Sequence, residues 1–138
     1  MRLLIPLLLL ILTCCKDEEI LLPTFQERIE GQWGLFSYAK VDCIDESRNV
    51  SPILAEDGCV DFIGNICGTM HFDPNGVLTL YNGDNEPTST NTYTTIEDSS
   101  IIFVCGNTNL CTKIYYEDEK LTFLSDNSGC NDEYVYSK

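Results

Sequence analysis

From residue 67 onward the chain is a succession of short alternating runs cut by turn signals, and that spacing constrains the fold more than anything else. Residues 67–72, 77–81, 88–96, 100–105, 112–116, 120–124 and 132–136 each read as a strand. Between the first two, Asp73-Pro74-Asn75-Gly76 carries proline second and glycine fourth, the order of a type I turn. The other connections are short and polar. Upstream, residues 32–41 alternate with Trp33 and Leu35 on one side. Eight strands at hairpin spacing predict an all-β fold, an up-and-down antiparallel barrel or a flattened sandwich. Residues 24–30 add a short N-terminal helix, with Thr24 as cap and Glu27 three residues on. Residues 42–66 show no clean period and carry Ser51-Pro52 and Asp57-Gly58, so they read as one long loop in need of staples.

The staples are cysteines. Setting aside Cys14 and Cys15 leaves six of the eight: Cys43, Cys59, Cys67, Cys105, Cys111 and Cys130. An even number in an exported domain implies disulfides. Zinc would want closer cysteine pairs with histidines nearby, and His71 is the one histidine. Cys105 and Cys111 flank a turn-like stretch between two β-rich runs, so on a hairpin they face each other within bridging distance. For the others the sequence leaves the choice open; Cys59–Cys67 and Cys43–Cys130 are the expected pairs.

The N-terminus speaks to compartment. Met1-Arg2 is a brief basic start, and residues 3–13 are apolar or nearly so. Eleven residues at ~1.5 Å each cover roughly half of a ~30 Å hydrocarbon core, which is the length of a signal-peptide apolar segment. Leu12-Thr13-Cys14-Cys15 followed by Lys16-Asp17-Glu18-Glu19 resembles the lipobox of bacterial lipoproteins, in which a cysteine is acylated and becomes the new terminus. Leu12, three before Cys15, makes Cys15 the expected lipid attachment site; Cys14, preceded by Thr13, is the alternative. The resemblance implies a signal peptide over 1–14, fatty-acyl chains of the palmitate type, and an outer-membrane anchor facing periplasm or cell exterior. Residues 15–27 then read as an acidic tether and 28–138 as the β-domain.

Twenty-two acidic residues against eight basic ones give a net charge of −14, which becomes −15 without Arg2. That field repels nucleic acid and anionic headgroups, so nucleic-acid binding is excluded.

Gly31-Gln32-Trp33 opening the first strand, residues 68–76 as strand plus turn, Lys120-Leu121-Thr122-Phe123 and the closing Tyr134-Val135-Tyr136-Ser137-Lys138 resemble the lipocalin-like domains of small bacterial lipoproteins. The resemblance covers about residues 30–138. It implies an up-and-down barrel that holds a small apolar ligand. Two departures stand out: no arginine from the last strand is available to cover the tryptophan, and the Thr-Asp-Tyr-like motif is absent. Trp33 is expected to plug one end. Trp33, Phe72, Tyr93, Phe103, Tyr116 and Phe123 are the candidate ligand-binding residues, within an inward set that also includes Met70, Leu78, Leu80, Ile114, Leu121, Tyr134 and Tyr136.

His71 falls on the outward alternation, and no nucleophile motif surrounds it. Asp73-Pro74-Asn75-Gly76 lacks the alternating oxygen ligands of a calcium loop. No catalytic residue, metal or cofactor is expected. A binding module for a small apolar compound is the leading reading. The alternative is a non-enzymatic interaction or structural module at the cell surface, meeting a protein partner through residues 42–66.

Overall fold

The computed structural model describes residues 21–62, 64–97, 99–106 and 110–138. Its first element follows from capping chemistry. The Thr24 hydroxyl accepts from the Glu27 amide, and the Glu27 carboxylate accepts from the Thr24 amide at 2.7 Å, so two otherwise orphaned N–H groups are satisfied. Helix α1 (Phe25–Ile29) results, and its two apolar residues, four apart, are both buried. The tether read as 15–27 is therefore too long at its C-terminal end. Phe25 is only 1% exposed and belongs to the core, so the folded unit begins at Thr24 rather than Arg28. Gly31, at φ +103°, swings the chain from helix into strand through backbone that residues with a Cβ avoid.

Eleven strands follow: β1 (Gly31–Val41), β2 (Val50–Leu54), β3 (Cys59–Asp61), β4 (Asn65–Cys67), β5 (Thr69–Asp73), β6 (Val77–Tyr81), β7 (Pro87–Thr95), β8 (Ile101–Cys105), β9 (Cys111–Glu117), β10 (Lys120–Asn127) and β11 (Cys130–Ser137). From β5 to β11 each strand pairs with the next, and β1 closes the circuit by pairing with both β5 and β11. The result is a closed eight-stranded antiparallel barrel, the first of the two architectures expected. Strand β2 is added on β1, and β3 with β4 forms a separate hairpin. Strand β1 serves three neighbours by dividing its length. Gly31 to Gly34 pair with β5, Ser37 to Lys40 with β2, and the register against β11 shifts between Leu35 and Ser37.

The single long loop expected over 42–66 is not what forms. A 3₁₀ turn (Glu46–Arg48), β2 and the β3–β4 hairpin occupy it. Pro52 breaks the alternating signal of β2, and it is tolerated because β2 lies at the end of the sheet order. Strands β3 and β4 have three residues each, too few for a period to show. A disulfide between the directly opposed Cys59 and Cys67 holds them. The run expected as one strand over 67–72 accordingly splits at Gly68.

The other disulfides are Cys105–Cys111, across the β8–β9 hairpin, and Cys43–Cys130, which joins the end of β1 to the start of β11 over a separation of 87 residues. All three pairings are the ones expected.

Side chains fill the barrel in two clusters. At the α1 end, Phe25, Ile29, Trp33, Phe72, Tyr93 and Leu121 are among the buried residues of the first. The Trp33 indole donates to the Ile29 carbonyl at 2.7 Å. Lys138 Nζ lies 5.1 Å from the Trp33 ring centroid and donates to the Arg28 carbonyl at 2.8 Å. A lysine one residue past β11 thus places a cation over the tryptophan ring. The second cluster is Leu35, Tyr38 and Val60, with Phe62, Tyr134 and Tyr136 packed against it. Here the β3–β4 hairpin lays Val60 and Phe62 against Tyr38 of the barrel wall.

In the chain-entropy account, replacing Cys43 and Cys130 together by alanine is expected to cost about 4–5 kcal/mol, and removing either short-range bridge about 2–2.5 kcal/mol. Urea unfolding of the three double variants checks the order; equal losses would contradict it.

Candidate functional site

Within the first cluster the packing is incomplete. A cavity of about 360 Å³ remains, walled by Met70, Leu78, Leu80, Val104, Ile114 and Phe123, with Asn91, Thr112 and Tyr136 as polar members and Gly106 and Leu110 at its rim. Its volume equals that of roughly a dozen water molecules at ~30 Å³ each, near the lower end of the ~300–1,000 Å³ typical of ligand pockets.

The ends of the barrel differ. Helix α1 covers the end formed by the β5–β6, β7–β8 and β9–β10 turns. Gln26 donates to the Pro74 carbonyl, Glu97 accepts from the Phe25 amide, and Phe25 stacks at 5.5 Å on Tyr116. In an antiparallel meander the β8–β9 turn lies at the opposite end, and Gly106 and Leu110 belong to that turn. Leu110 is 80% exposed. The cavity therefore opens away from the point where the chain enters the fold.

The six candidate ligand residues separate into three groups. Phe123 lines the cavity. Trp33, Phe72, Tyr93 and Tyr116 sit in the packed cluster beneath α1, where Phe72 and Tyr93 meet edge-on at 5.0 Å and the Tyr93 hydroxyl donates to the Asp73 carbonyl at 2.8 Å. Phe103 is a correction: it faces outward. Its neighbours Ile102 and Val104 take the inward positions of β8, and Lys113 Nζ lies 5.9 Å from its ring centroid. The aromatic ring drew the assignment, but the strand's parity overrules it. Tyr134 shares the inward face of Tyr136, packing on Phe123 and on Tyr38 of the second cluster.

Asn91, Thr112 and Val104 are cavity residues that sequence reasoning passed over. Strand β7 reads Pro-Thr-Ser-Thr-Asn-Thr-Tyr-Thr-Thr, so nearly uniform polarity hides which face is inside. The available signal was parity counted back from Tyr93, which places Asn91 and Ser89 inward. Burial pushes the Tyr136 hydroxyl up to about 12, so it stays protonated in neutral surroundings.

One further group could have been chemical. Asp132, 5% exposed, accepts from the Tyr38 hydroxyl and from Asn127 Nδ2, each at 2.8 Å, with Lys40 Nζ at 3.7 Å. Burial alone would raise its pKa, but the hydrogen bonds and the ammonium outweigh that and hold the carboxyl below its ordinary range. The same burial, and then the bond to Asp132, raise Tyr38. A fully partnered carboxylate that ties β1 to β11 is a clamp.

His71 is exposed on β5. The Asp73 carboxylate accepts from the Asn75 amide and side chain at 2.8 and 2.6 Å, closing the turn on itself. Among the described residues no group of three histidine, cysteine or acidic side chains could hold a metal ion. No protein-family model matches the chain, and no curated protein matches it.

Because Asp132 titrates lower folded than unfolded, its stabilisation is complete above pH ~4 and is lost as pH falls through the folded value. Asp132→Asn is expected to cost about 1–3 kcal/mol at pH 7, with the gap from the unsubstituted protein narrowing below pH 4. Denaturation midpoints from pH 2 to 8 test this; a pH-independent gap would contradict it.

Proposed function

We propose that this chain is an exported lipoprotein, fixed to the outer membrane by lipid on Cys15, whose barrel takes up a small apolar molecule. The cavity carries the binding half of this reading. Its walls are mainly aliphatic, its mouth is open, and the meander from β6 to β11 with β5 and β1 closes a barrel around it. The anchoring half rests on the apolar run ending at Leu12-Thr13-Cys14-Cys15, which lies outside the described residues, as do the signal peptide and residues 15–20 of the tether. Several acyl chains at ~0.8 kcal/mol per buried CH₂ make such attachment durable. Since the chain enters at the α1 end, lipid on Cys15 leaves the mouth turned toward water, on the periplasmic or exterior side. The reading includes no catalytic step.

A second reading, a non-enzymatic interaction module, draws on Ile44 and Leu54, which are 91% and 64% exposed on the segment between β1 and β3.

Intact mass measurement of the protein from its host envelope is expected to show a chain beginning at Cys15 and carrying fatty-acyl mass. An unprocessed Met1 terminus without added mass would overturn the anchor. For the cavity, Val104→Phe is expected to abolish co-purification of a small molecule, seen by native mass spectrometry. The fold should survive at a cost of about 1–3 kcal/mol. Persistence of the bound mass in that variant would move the ligand elsewhere.

A further inference from the structure

The cavity wall changes character along its depth. On β7 and β9, Tyr93 and Ile114 are inward positions on the α1 side of the polar wall. Two residues nearer the mouth they become Asn91 and Thr112. Tyr93 and Val104 face each other across β7 and β8, and Val104 faces Thr112 across β8 and β9, so the polar pair occupies one wall. The remaining wall offers Met70, Leu78, Leu80 and Phe123. Asn91 is held only loosely, its amide reaching Ser89 Oγ at 3.5 Å. A side chain at position 106 would begin 3.4 Å from Asn91 Oδ1; glycine there leaves that oxygen approachable from the rim.

Charge is the second observation. None of the described lining residues is charged, and the sequence carries no charge between Cys105 and Cys111. The chain as a whole stands at −14. A carboxylate drawn into this space would lose its water, meet no cation and sit in a repelling field. A hydroxyl or amide would lose its water and regain hydrogen bonds on Asn91 and Thr112.

Resting on the reading that the cavity takes up a ligand, we propose that it selects an apolar body carrying a neutral, hydrogen-bonding head, and that it rejects the matching carboxylate. Asn91 and Thr112 are the residues that read the head.

The test uses the processed, lipid-bearing protein in phosphatidylcholine nanodiscs, with empty discs as the reference. The methyl resonances of Met70 and Ile114 are followed while 1-octanol, octanoate or octane is added at pH 8. 1-Octanol is expected to bind at least about tenfold more tightly than octanoate, because the unpaired charge is penalised on burial. Thr112→Val, which preserves shape, and Asn91→Leu are each expected to weaken 1-octanol about fivefold or more, the worth of roughly one hydrogen bond. Octane binding should be unaffected by Thr112→Val, which shows that the cavity is intact. Octanoate binding as tightly as 1-octanol, or 1-octanol indifferent to both substitutions, overturns head-group selection while leaving uptake standing. Silence of both methyl groups toward all three compounds overturns head-group selection and uptake together.

Discussion

The barrel depends on how the backbone hydrogen bonds of one strand are shared. Among the described residues strand β1 alone touches both ends of the β5–β11 meander, and without it the sheet would keep two open edges. It closes the ring by giving its first four residues to β5 and Ser37 to Lys40 to β2, while its other edge follows β11 along most of its length. Everything near the barrel seam answers to that division. Trp33 lies on the β5-paired part and is capped by α1. Tyr38 lies on the β2-paired part, where the strand has left β5 and the β3–β4 hairpin fills the gap. The Tyr38–Asp132 bond and the Cys43–Cys130 bridge then fasten the far half of β1 to β11.

The cavity follows from the same geometry. An eight-stranded barrel has room for its own side chains or for one small guest. Here the large aromatic residues are drawn to the α1 end and to the seam, where they stack on one another. The β6–β9 wall receives leucine, valine, isoleucine, asparagine and threonine instead. Uneven distribution of bulk, rather than a shortage of it, leaves the space.

What could be read from the residues was what depends on local chemistry. The capping box at Thr24 and Glu27, the Asp73–Gly76 turn and the parity of long strands are local, and the structure matches them. The cross-strand facing of Cys105 and Cys111 is local too. What could not be read depends on distant partners or on signals too short to have a period. Three-residue strands β3 and β4 exist because a disulfide and Tyr38 hold them. Strand β2 exists because β1 has an edge to spare, despite Pro52. Phe103 was misplaced because ring size was weighed above its position between Ile102 and Val104. Asn91 was overlooked because a run of threonines gives parity nothing to mark. The lysine over Trp33 has no local signature, because it follows the last strand and meets the ring only once the barrel has closed.

The bridge between Cys43 and Cys130 has a consequence for proteolysis. The two cysteines bracket 86 intervening positions, and every turn from the β3–β4 hairpin to the β10–β11 connection falls inside the bracket. A single cut in any of those turns leaves both pieces covalently one molecule. The severed ends stay beside each other on paired strands, so a nicked barrel keeps its register.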